Sequence, residues 1–131
     1  MAITHQLAES YKGAGGVVVT STTRSFSADS EANIDEAVLG VATTLVALKV
    51  TKSQIVSLLL YSDKALTIKT NSSTSPTDTI VLTAGVPKIW NTDHVAADLP
   101  ITADVTVGFY LVNSASGVTA NFKMRCLLNA S

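Results

Sequence analysis

Apolar and polar residues alternate with a period of two through most of this chain, and clusters that bend a backbone interrupt the alternation about every 8–12 residues. In Ala65 to Thr70, Leu66 and Ile68 point one way while Thr67 and Lys69 point the other, as a half-buried strand requires. Thr79, Val81 and Thr83 alternate in the same way with Ile80 and Leu82. From Asp104 to Val112 the pattern places Val105, Val107, Phe109 and Leu111 inward and Thr106, Gly108 and Tyr110 outward. Thr119 to Leu128 then sets Phe122, Met124, Cys126 and Leu128 against Lys123 and Arg125. The five residues Asn113 to Gly117 between these runs have a common hairpin-loop length, so the pattern predicts that the two strands pair with each other.

The stretch Ile55 to Trp90 organises the rest. Ser62-Asp63-Lys64, Asn71 to Pro76 and Gly85-Val86-Pro87 cut it into strand-length pieces, which predicts a meander. Its first piece, Ile55 to Tyr61, is apolar on both sides: Val56, Leu58 and Leu60 share one face, Ile55, Leu59 and Tyr61 the other. Both faces need cover, and one sandwich core supplies cover for only one of them. Leu58, Leu59 and Tyr61 are therefore interface candidates, together with Trp90 and Tyr110.

Upstream, Thr4 to Lys12 reads as a strand with no fully apolar side. That suits an edge, or an N-terminal arm over residues 1–12 lying on a neighbour. Gly13-Ala14-Gly15-Gly16 tolerates positive φ, and Val17 to Phe26, dense in Val and Thr, completes a hairpin. Ser27 to Glu31 reads as a polar turn, Ala32 to Val38 as a strand, Gly40 as a break and Thr43 to Val50 as another strand. Thr51 to Gln54 reads as a turn or one helical turn, and Asn91 to Thr102, which has no periodicity, as a surface loop. No run of ten residues keeps a 3.6 period. The fold class is all-β: one antiparallel β-sandwich over residues 1–131, jelly-roll-like, with eight to ten strands.

Composition adds a second signal. Of 131 residues 47% are hydrophobic and only 15% charged, against roughly 25% in an ordinary soluble domain. A low-charge surface is one that meets protein or wears a Ser/Thr coat. Nine Lys+Arg balance ten Asp+Glu, leaving a net charge of -1 and no basic footprint for nucleic acid. Cys126 is alone and falls in phase with core residues, so no internal disulfide is expected. The N-terminal residues lack the basic and apolar regions of a signal peptide, and no apolar run approaches a membrane span; folding in a cytoplasm is expected. On that reading the sequon Asn71-Ser72-Ser73 is a turn.

Candidate chemistry is thin. Asp93-His94 is the one close acid and base pair, but neighbours on an extended chain point apart and no G-x-S-x-G elbow exists. Asp29 to Asp35 spaces oxygen ligands as a calcium loop does, yet has Ile34 where that loop needs Gly and Gly40 where it needs Glu. Asp93, His94, Asp98 and Asp104 form a second, looser metal candidate, and no zinc spacing is present. A sugar platform would be drawn from Trp90, Tyr61, Tyr110 and Tyr11, with Trp90 first. Gly13 to Gly16 is not followed by the helix and Lys-Ser/Thr of a phosphate loop. No catalytic residue, metal or cofactor is expected.

Leu66 to Trp90, LTIKTNSSTSPTDTIVLTAGVPKIW, preceded by Leu59-Leu60-Tyr61-Ser62-Asp63, resembles small virion structural proteins of tailed bacteriophages and cyanophages, in particular the decoration or cement proteins that coat capsids. The likeness lies in the cadence of Thr/Ser/Val-rich strands and the lack of catalytic residues. It implies a sandwich or jelly roll, often trimeric, that binds the major capsid protein of the mature shell, with neither nucleic acid nor membrane as partner. A tail, baseplate or fibre component and a carbohydrate-binding β-sandwich module are the alternatives.

Overall fold

A computed structural model describes residues 2–16 and 18–129, and strands account for most of them. Ile3–Lys12 (β1) and Val18–Ala28 (β2) pair antiparallel from Ile3↔Ala28 to Lys12↔Val18. Gly15 and Gly16, at φ 77 and 78, make the tip, in a region that β-carbon-bearing residues avoid. Val17, where the sequence pattern starts the second strand, lies outside the described residues. The arm expected over residues 1–12 is thus a two-stranded ribbon over residues 3–28. No polar turn of five residues follows it: β2 passes through Asp29 alone into Ser30–Val38 (β3).

The body continues with Ala42–Val46 (β4), Ile55–Ser62 (β5), Leu66–Thr70 (β6), Thr79–Leu82 (β7), Lys88–Asn91 (β8), Phe109–Asn113 (β9) and Ala120–Leu128 (β10). Two four-stranded antiparallel sheets form, in the orders β3-β10-β5-β8 and β4-β9-β6-β7, the strand order of a jelly roll. The inward residues of both sheets meet in one core, where Leu60, Ile68, Phe109, Leu111 and Met124 are fully buried.

This topology corrects two pairings that alternation predicts. β9 and β10 are not a hairpin: β9 pairs with β4 and β6, whereas β10 pairs with β3 and β5. Ile55 to Trp90 is not a meander either, because β5 and β8 lie in one sheet and β6 and β7 in the other. Among the described residues β6 to β7 is the one connection of the body that stays within a sheet. A strand that alternates apolar and polar states which side faces the core, and that side is the same whether the next strand lies beside it or opposite it.

Three local departures have identifiable causes. A bulge at Val56 sets Ser57 opposite Leu127 but Ile55 opposite Leu128, so the phase resets and Ile55 is buried with Leu58 and Leu60. Val107 is exposed, although Val105 and Phe109 are buried. Asn71, at φ 68, receives the N–H groups of Thr106 and Val107 on Oδ1 at 2.8 and 3.0 Å, and Gly108 lies so close to β4 that a β-carbon there would be 2.3 Å from the Val46 carbonyl oxygen. Residues 106–107 are pulled out of the strand as a result. Finally, Asn91 to Thr102 is not a purely surface loop: Leu99 and Ile101 turn inward and close the core, and Asp78 fixes Ile101's neighbour by accepting the N–H and hydroxyl of Thr102.

Candidate functional site

The two outer sheet faces differ in chemistry. On β4-β9-β6-β7, register lines up Leu45, Tyr110, Lys69 and Thr79 in one row and Thr43, Val112, Thr67 and Val81 in the next. Lys69 is the one charged residue of these eight, and its ammonium donates to the carbonyl of Ser73 at 3.1 Å. Leu45 and Val81 are 44% and 65% exposed, which makes this a flat face with an apolar share large for a solvated sheet.

The outer face of β3-β10-β5-β8 carries Glu31, Asn33 and Asp35 from β3 and Lys123 and Arg125 from β10. Arg125 grips the Asp35 carboxylate with both oxygens at 3.0 Å from Nη2, and its Nη1 donates to the carbonyls of Ile34 and Met124. The hairpin β1-β2 packs its proximal half on β10 and β5. Leu127 consequently has 0% exposure despite its outward phase, and Leu7 and Phe26 are half-buried. Between hairpin and sheet lies a cleft of about 490 Å³, floored by Leu59 and Ile89 and lined by polar groups of β3, β5 and β8.

Polar ties hold the hairpin there. His5 Nε2 and Glu31 Oε2 are 2.8 Å apart, and His5 Nδ1 lies 3.5 Å from the Ser57 hydroxyl, the outer limit of a hydrogen bond. Arg24 bridges to Asp93 at 3.1 Å and approaches Glu9 at 3.7 Å. The bond from His5, followed by one from Asn33, holds the Glu31 carboxyl below its ordinary value of 4.5. A lowered native value means that Glu31 favours folding above pH 4.5 and loses that contribution as pH falls through the lowered value. Hydrogen exchange of the β1 amides from Ile3 to Leu7 should therefore speed up on acidification from pH 5 to 3, after correction for intrinsic rates, while the β10 amides hold; Glu31→Gln should flatten the β1 response.

The residues singled out by sequence are dispersed. Leu58 and Trp90 belong to the core, so neither offers a surface; the Trp90 indole N–H donates to the Val95 carbonyl at 3.0 Å. Leu59 and Tyr61 are half-buried on the hairpin side of β5, Tyr110 is half-buried on the opposite sheet, and Tyr11 is exposed in the distal hairpin. Trp90 is thereby removed as a sugar platform. Asp93 and His94 diverge: the carboxylate turns to Arg24, the imidazole to Asn91 Oδ1 at 3.0 Å. Asp104 accepts the N–H of Lys52, and among the described residues no three His, Cys, Asp or Glu side chains gather as metal ligands. Asp29 to Asp35 is a bend and a strand. Burial pushes the Cys126 thiol up to about 12, which keeps it protonated.

Sequence reasoning missed His5, Ser57 and Asn91, and weighed Glu31 only as part of a calcium loop. They lie on four strands, and no spacing announces them. The one available signal was the polar character of Ser57 and Asn91 within runs otherwise rich in apolar residues.

Fold and site together define an antiparallel jelly-roll sandwich with a hairpin clasped to one of its faces. No protein-family model matches the sequence, and neither a curated protein nor a solved structure matches the chain.

Proposed function

We propose that the protein is a non-enzymatic virion structural protein: a capsid decoration protein that acts as a homo-oligomer, a trimer, and binds the major capsid protein of the phage head. The observation that carries this reading is the half-seated hairpin. Ile3 to Leu7 alternates between half-buried and exposed residues, but Ala8 to Lys12 are all exposed, as are Thr23 and Thr22, which pair with Ala8 and Glu9. A two-stranded ribbon is marginal in water by itself, so the distal half needs a surface its own body does not supply. A neighbouring copy has one in the Leu45, Tyr110, Val112 and Val81 face, where a ribbon carrying Tyr11 adds apolar contact at little desolvation cost. Leu59 is half-buried and lines the cleft beside the chain's own hairpin.

Light scattering should give three times the chain mass at micromolar concentration in moderate salt, and removal of residues 1–28 or the change Val81→Glu should shift it to one. A monomeric parent protein would sink the oligomer. Mixing the protein with capsids stripped of their decoration should restore saturable binding to expanded shells; binding to tails or baseplates instead would move the protein there.

A further inference from the structure

The cleft beneath the hairpin has a lining that oligomer assembly does not use. Its polar groups are of both kinds. Ser57 and Asn33 give and accept hydrogen bonds, Glu31 accepts, and Asn91 brings an amide whose Nδ2 is buried and has no partner among the described residues. Asn91 is 1% exposed, and its Oδ1 accepts the N–H of Asp93 at 3.0 Å, so turning the amide would set its NH2 against that N–H. A buried donor without a partner costs free energy that an oxygen placed beside it removes. Ser57 and Asn91 stand opposite each other on β5 and β8, and both line the cleft.

Elimination by charge narrows the occupant. An anion would face the Glu31 carboxylate, while the nearby guanidinium of Arg125 is already committed to Asp35 and two carbonyls. A cation would meet that same guanidinium with no spare carboxylate, since Glu31 is engaged by His5. A purely apolar molecule would leave Asn91 Nδ2 without a partner and shut the remaining hydrogen-bonding capacity of Asn33 and Ser57 away from water. A hydroxyl group both donates and accepts, so it satisfies each of them, and the C–H faces of a sugar ring fit the aliphatic floor of Leu59 and Ile89. The volume, about 490 Å³, lies within the range of small-ligand sites.

We propose that the cleft between the β1-β2 hairpin and the outer face of β3-β10-β5-β8 binds a neutral, hydroxyl-rich ligand of mono- or disaccharide size, held by Asn91, Asn33 and Ser57 over Leu59 and Ile89. This site is independent of assembly and requires no exposed aromatic platform.

Side-chain amide NMR signals of Asn91 and Asn33 report on it directly. The full chain would be titrated with glucose, galactose, mannose, N-acetylglucosamine, maltose and lactose, and with glucuronate and inorganic phosphate as charged controls, each to about 50 mM, well above a dissociation constant near 1 mM. The expected result is a saturable shift of both amide signals with at least one neutral sugar and none with the controls. Ser57→Ala and Asn33→Ala, which leave the core untouched, should each weaken that binding several-fold while the oligomer mass stays that of the parent. No shift with any neutral sugar on folded protein, a shift with the charged controls alone, or unchanged binding in both variants would overturn the proposal.

Discussion

Phe109→Ala should lower stability by about 3–5 kcal/mol, the range for truncating a buried aromatic ring, and the melting midpoint by roughly 10–20 °C for a chain of this size. Phe109 opens β9 directly after Gly108, is 0% exposed, and stands between Val46 of β4 and Thr70 of β6 in register. Its neighbours on both sides are hydrogen-bonded strands, so the walls around a missing ring have little freedom to collapse and the cavity persists. Val107→Ala is the matched comparison. Simple alternation gives Val107 the same inward role, but at 45% exposure its truncation should change stability by no more than about 0.5 kcal/mol. Urea unfolding of the two variants decides the matter: equal losses would mean that residues 106–107 are not pulled outward.

The second large effect is expected at Asn113. This side chain is fully buried; its Nδ2 donates to the carbonyls of Val38 at 3.0 Å and Val118 at 2.6 Å, and its Oδ1 accepts the N–H of Ala115 at 3.1 Å. One amide thus fastens the end of β3 to the loop that carries the chain from one sheet to the other. That loop packs against Gly40 so closely that a β-carbon there would lie 2.6 Å from the Ala115 carbonyl oxygen. Asn113→Ala strands the buried carbonyl of Val38 and the part-buried carbonyl of Val118 and N–H of Ala115, so a loss of about 2–3 kcal/mol is expected. Asn113→Asp should be worse at neutral pH, since a carboxylate would face two carbonyl oxygens, and should regain part of the loss on acidification. Chemical denaturation at pH 7 and pH 5 measures both, and an Ala variant as stable as the parent would show that water replaces the amide.

Much of the fold was legible in the sequence, and what escaped has a common cause. The faces of β6, β7 and β10 follow from Leu66 and Ile68, Ile80 and Leu82, and Phe122, Met124 and Cys126, because a period of two is a local property. Partner choice is not local. Asn113 to Gly117 has the length of a hairpin loop, yet it spans the sandwich, since crossing two packed sheets and turning within one need similar numbers of residues. Val56 shows another limit: a bulge adds one residue on one strand only, and nothing in IVSLLLYS marks which of its apolar residues is the extra one. The apolar double face of β5 signals a need for two covers, but not that the hairpin of residues 3–28 lies over the second, with His5 reaching Ser57 across 52 positions.

Site residues were less legible for the same reason. His5 and Ser57 are 52 positions apart, His5 and Glu31 are 26 apart, and the cleft exists because the hairpin folds back over β5. Trp90 drew attention as a lone aromatic residue, whereas its indole is spent on capping Val95 inside the protein.

The place of β10 in its sheet has a consequence for biosynthesis. This strand lies between β3 and β5, and the hydrogen-bonded residues Arg125 and Ile34 are 91 positions apart. While the ribosome is still holding residues 120–128, β3 and β5 have no common partner, the core lacks Phe122, Met124 and Cys126, and two unpaired strand edges face solvent. The body therefore cannot fold stepwise from its N-terminus; it must wait for the emergence of β10, and with so many distant pairings it should then fold in milliseconds to seconds. Nascent chains stalled before residue 120 would be the form that holdase chaperones capture and that proteases cut.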